Sequence, residues 1–272
     1  MNLSAQANRL VLLALTGQAI AYALSILMAR RLGLAGFESY VVASAIFILL
    51  ATMAPLGSEK YTLRQMPALL QHGDWGRARG FLHFGLRRTL FTATASAITV
   101  GLWTALTNTR DPEIARAILV TCLSLPAGAL VHYALELLTA AGRPFRALAI
   151  FRVFVPATVL TLTALGFALG LPVTGAVAIG FWGLAWLAAL ALMALSLRQA
   201  VDPRLFTASP THDRRTWRRE SRPFFGYRAS LALLAQAGII ALELLAPEKS
   251  ALGAYAAAMA TTAMATVLAT AT

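Results

Sequence analysis

The sequence predicts an all-α, polytopic inner-membrane helical bundle of about eight transmembrane helices, a six-helix lobe followed by the start of a second. Three observations lead there. The composition is 58% hydrophobic and only 12% charged, with a mean hydropathy of +0.69, far from the balance of a soluble domain. The apolar residues gather into runs near the length of about 20 that a helix needs to cross a hydrocarbon core. Those runs are rich in Ala and Leu and do not alternate in roughly ten-residue segments, so a helical bundle is strongly preferred over a barrel.

In chain order, "LVLLALTGQAIAYALSILMA" (10–29) is the first span; it is too long for the apolar region of a signal peptide and is followed by further spans, so it reads as retained. The second span, 39–57, stops on Gly57. The stretch 58–88 then mixes Glu59, Lys60 and Arg64 with apolar residues. It is expected to expose those charges on an interfacial helix, with Trp75, Phe81 and Phe84 facing the membrane. Spans follow at 89–106, 115–140 (kinked by Pro126), 151–170 and 173–197. The arginine-rich stretch 198–225 reads as a cytoplasmic linker, and spans at 228–246 and 251–271 close the sequence.

This gives three units: a six-helix lobe over 1–197, the basic linker 198–225, and the first two helices of an incomplete second lobe over 226–272. A weak internal repeat supports the division. "LALTGQAIAYALSIL" (13–27) matches "LALLAQAGIIALELL" (231–245) at 8 of 15 positions, including Gln18 with Gln236. An amide is costly in lipid unless it faces the bundle interior, so the glutamines are the informative part. Parallel repeats of this kind occur in transporters. A repeat that has only begun, ending without a cationic stop, makes the sequence look truncated.

Orientation follows from the basic residues. With the N-terminus inside, the cytoplasmic side takes all but five of the 23 Lys and Arg, leaving Arg30, Arg31, Arg110, Arg116 and Lys249 outside. The net charge of +12 lies between apolar runs and not on an aromatic-bearing basic surface, which argues against nucleic acid as a partner. The single cysteine, Cys122, lies in an apolar run and supports neither a disulfide framework nor a thiolate metal site. No nucleophile elbow, phosphate loop or set of histidines at metal-ligand spacing is present, so no enzyme, metal or cofactor is indicated.

A resemblance enters with residues 30–82. Arg31-Leu32-Gly33, Gly36-Phe37 with Tyr40, and Leu56-Gly57 with Arg64 resemble the first hairpin and following cytoplasmic segment of the polysaccharide transporter family of the multidrug/oligosaccharidyl-lipid/polysaccharide exporter superfamily. The resemblance implies a flippase for polyprenyl-diphosphate-linked oligosaccharides in a bacterial inner membrane, usually of 12 or 14 helices in two lobes. It implies membrane lipid and the lipid-linked glycan as partners, alongside a glycan polymerase or glycosyltransferase. Two other classes stay open: a membrane enzyme of glycan assembly, and a non-transporting membrane subunit or anchor.

The candidate site residues are charged or amide groups near or within spans. Lys60, Arg64, Arg87, Arg88, Arg146 and Arg152 gather at helix ends on the cytoplasmic side, where cations could hold a diphosphate or simply anchor topology. Gln18, Tyr22, Ser25 and Gln236 could meet sugar hydroxyls from a cavity wall or bond between helices. His132 and Glu136, four apart on one helix, form either a coupling relay or a pair whose Glu136 merely reaches the interface. Trp182 and Trp186, one turn apart, suit packing better than sugar stacking.

Overall fold

The computed structural model describes residues 3–107 and 111–245, together with 255, 258, 259, 261 and 262. Seven helices among the described residues are long and apolar enough to cross a membrane: Asn8–Gly33, Ala35–Gln71, Trp75–Leu106, Pro112–Ala140, Pro144–Ala168, Gly175–Ala200 and Arg214–Leu242. The chain is thus an all-α polytopic membrane bundle. The expected eighth span, 251–271, lies outside the described residues but for the five isolated ones.

Helix α1, Leu3–Met53, is broken at Gly33, where φ is +71°, a value that glycine adopts without the Cβ penalty. A turn over 54–57 leads into α2, Ser58–Gln71, then α3, Trp75–Leu106, and α4, Pro112–Ala140. The fifth span is composite: α5, Pro144–Leu148, a π turn, Ala149–Phe154, and α6, Val155–Ala168. Pro156 has no N–H to offer the carbonyl of Arg152 four residues back, which loosens the ladder there. That carbonyl instead packs against Gly17 of α1, where no Cβ would fit. Helix α7, Gly175–Ala200, and the short α8, Arg204–Thr207, precede α9, Arg214–Leu245.

The centre of the bundle is α4, which touches α1, α2, α3, α5 and α7. Its small buried residues Ala117, Ala127, Gly128 and Ala129 allow that closeness, and it runs unbroken through Pro126. Around it lies one large core in which the rings of Tyr40, Phe47, Trp182 and Trp186 meet edge-on or tilted at 5.5–6.2 Å; the two tryptophans therefore pack. A Cβ at Gly128 would run into the Phe47 ring. Gly128→Ala should cost about 1–3 kcal/mol by overpacking, and Phe47→Leu in the same chain should recover part of it, as read by thermal denaturation in one detergent.

A second core sits at the basic end, built from Tyr61, Phe81, Phe84, Tyr133, Leu205 and Trp217. It corrects two expectations. Phe81 and Phe84 do not face the membrane: they are buried against Trp217 at 5.4 and 5.5 Å, because α3 is one helix of 32 residues and not an interfacial segment plus a span. Nor is 198–225 a free linker. Its basic part is already helical from Arg214, and residues 208–213 are pinned to α3: Thr211 N donates to the Gly76 carbonyl at 3.0 Å and Arg79 Nη1 to the Ala208 carbonyl at 2.6 Å. Arginine-rich sequence looks like linker by composition, but Trp217 and Ser221, four apart on one face, bury that face.

Candidate functional site

Two assemblies of charge occupy the basic end. The first lies beneath the surface where α2, α4 and α9 converge. Lys60 Nζ donates to Glu136 Oε1 at 2.5 Å, joining α2 to α4. One residue earlier on α2, Glu59 faces Arg228 of α9, with Nε and Oε1 3.5 Å apart. The Glu59 side chain is 1% exposed and Arg228 22%, yet among the described residues neither carboxylate oxygen of Glu59 nor Nε of Arg228 has a hydrogen-bond partner. The pair is held by charge alone in a place where an unsatisfied charge is expensive.

These facts correct the expected exposure of Glu59, whereas Lys60 is half-buried and Arg64 is exposed as expected. Ser58, Glu59, Tyr61 and Thr62 are all buried, because α9 lies directly on Gly57. A Cβ there would meet the backbone of Ser221 and Phe225. Glu136 is likewise buried and paired, so it does not simply reach the interface. His132, one turn away on the same face of α4, stacks on Trp186 at 5.8 Å and meets Phe151 edge-on at 5.1 Å. Among the described residues it shares no hydrogen bond with Glu136.

The second assembly is a cavity of ≈ 480 Å³ between α3 and α9, lined by His83, Arg87, Arg88, His212, Arg214 and Arg218 with Leu56, Phe84, Phe91 and Thr92. Arg88 is fixed in it: Nη1 donates to Ser221 Oγ at 2.7 Å and its guanidinium lies 5.6 Å from the Phe84 ring centre.

The structure therefore divides the cations that sequence reasoning grouped. Lys60 belongs to the buried lattice, whereas Arg87 and Arg88 belong to the cavity. Arg64 is exposed on α2 one turn beyond Lys60, and Arg152 is exposed within the π turn, over Phe151 at 5.9 Å; neither lines the cavity. Arg146 bonds Gln199 at 2.8 Å. Gln18, Tyr22, Ser25 and Gln236 are half-buried, the first three on the N-terminal half of α1 and the last on α9, helices that pack on each other. Ser25 donates to its own helix at Ala21.

Residues that sequence reasoning missed are Glu59, Arg228, His83, His212, Arg214 and Arg218. One signal was present for Glu59: the apolar or small residues at 58, 62, 66 and 69 form a helical stripe that includes it. Nothing local announced that the basic start of α9 would fold back on α3.

No family model matches the chain, and no curated protein or solved structure matches it either.

Proposed function

We propose that the chain carries a polyprenyl-diphosphate-linked glycan across a bacterial inner membrane by alternating access, loading it from the cytoplasmic side that the basic residues define. The observation that supports this reading is the lattice in which the buried carboxylates of Glu59 and Glu136 meet the half-buried cations Arg228 and Lys60. Charges inside a membrane bundle are rare and usually functional, and here they tie α9 to α2 and α2 to α4.

The lattice is neutral as it stands, two carboxylates against two cations. A diphosphate offers the same cations more oxygen acceptors than the carboxylates do, and guanidinium binds phosphate bidentately. Taking Arg228 from Glu59 is the easier exchange, since that contact contains no hydrogen bond to break. Capture of the cargo would then release α9 from α2, and release of the cargo would restore the latch. Glu136 serves as the resting partner of Lys60, and Arg64 extends the cationic row toward the surface. The mechanism transfers a lipid without making or breaking covalent bonds, so no catalytic residue is assigned.

The test is binding by the purified chain of a fluorescent polyprenyl-diphosphate oligosaccharide in lipid nanodiscs. Lys60→Met with Glu136→Met removes a pair without orphaning either charge. It should weaken binding by roughly 10- to 150-fold, in line with the loss of one charge-assisted hydrogen bond of roughly 1.5–3 kcal/mol, while leaving the fold intact. Unchanged binding in that variant removes the lattice from the site. No binding by the unaltered chain favours the subunit or anchor reading.

A further inference from the structure

We propose that the cavity between α3 and α9 holds the phosphate of an anionic glycerophospholipid, in the leaflet facing the basic end of the bundle. Four guanidinium groups, Arg87, Arg88, Arg214 and Arg218, line it together with two imidazoles, and among the described residues no carboxylate does. Arginine stays charged at any physiological pH, so these groups repel one another, and an anion seated among them relieves that repulsion. Their origin argues against simple anchoring. They come from two helices more than 120 residues apart in sequence and converge on one concave space, with Arg88 already oriented by Ser221 and Phe84.

The depth of the cavity identifies the anion. From Arg88 to Leu106, α3 rises about 27 Å at 1.5 Å per residue, close to the thickness of a hydrocarbon core. Along that length it exposes Leu90, Phe91, Ile98, Leu102, Trp103 and Leu106, with Trp103 at the far end where indoles settle at the interface. The arginines therefore lie at the near hydrocarbon boundary, the level of lipid phosphates. Phe91, which is 75% exposed, lines the cavity and begins the apolar stripe. A phosphodiester seated on the arginines has its acyl chains leaving along that stripe. Inorganic phosphate would fill the charge and leave the apolar wall unused.

The proposal is independent of the cargo and is tested without it. The unaltered chain, purified in a neutral detergent, is titrated with phosphatidylglycerol, phosphatidylcholine or inorganic phosphate and followed by native mass spectrometry. Phosphatidylglycerol should be retained over phosphatidylcholine, and millimolar phosphate should not displace it. Each arginine removed should weaken retention about fivefold, the effect of roughly one basic residue near a charged surface. Arg87→Gln with Arg214→Gln should therefore lose about 25-fold, while Arg87→Lys with Arg214→Lys, which keeps the charge and loses only the fork, should fall between. Equal retention of the two lipids, displacement by phosphate, or a glutamine variant that retains phosphatidylglycerol like the parent would each overturn the assignment. So would competition by a polyprenyl diphosphate that vanishes in the glutamine variant, since the cavity would then belong to the cargo.

Discussion

Replacing Arg228 with alanine should destabilise the protein far more than replacing the carboxylate it faces. Arg228→Ala leaves the Glu59 carboxyl without the cation it faces, 1% exposed and, among the described residues, without a hydrogen-bond partner for either oxygen. Breaking a buried pair by removing one partner typically costs about 3–5 kcal/mol, because the remaining charge is uncompensated. Glu59→Gln leaves the opposite situation. Arg228 is 22% exposed and its long side chain can swing its head toward water, so the loss should stay near 1 kcal/mol. The double variant Glu59→Gln with Arg228→Met should recover most of what Arg228→Ala loses. Denaturation in a fixed detergent measures all three, and equal losses for the two single variants would show that Glu59 finds another cation when Arg228 is absent. Lys60, next in sequence, is the group that would take that role.

The same lattice shows which parts of the structure were legible in the sequence. Hydropathy located the described spans because lipid imposes one solution on the backbone, and a run of Leu and Ala such as 10–29 or 173–197 carries that signal by itself. It failed where protein replaces lipid as the neighbour. Phe81 and Phe84 lie beside Arg79, Arg87 and Arg88, a mixture that means interface in an isolated helix. The rings are buried because Tyr61 of α2 and Trp217, more than 130 residues later, close over them. Burial of Glu59 depends on the same distant helix. For the candidate site, proximity of Lys60 to Glu136 required knowing that α2 crosses α4, which no spacing within either segment encodes. Sequence reasoning collected the cations at one end of the bundle, and the fold sorted them into a lattice of ion pairs and a cavity that no carboxylate among the described residues lines.

Gly57 is the hinge point of that sorting, and Gly57→Ala should open the contact between α2 and α9. Two effects add. The residue has φ +81° and ψ −4°, a left-handed conformation that costs an alanine about 1–2 kcal/mol. Its new Cβ would also strike the backbone of Ser221 and Phe225, and a main chain inside a helix cannot rotate aside as a side chain can. Helix α9 would have to shift bodily, at a further cost of about 1–3 kcal/mol, disturbing Glu59–Arg228 on one side and Arg88–Ser221 on the other. Ser221 has no exposure in the intact fold. Cysteine at this position, in a Cys122→Ala background, should therefore be inert to a maleimide and become reactive when Gly57→Ala is added. Gly73→Ala separates the two effects. Gly73 also has a positive φ, +68°, but its nearest neighbour would be the Trp75 indole nitrogen at 3.9 Å, so there is room for a methyl group. That variant should lose comparable conformational stability and leave Ser221→Cys unreactive. Equal labelling in both would mean that α9 leaves α2 through general loosening, and the close approach at Gly57 would no longer explain how the helix is held.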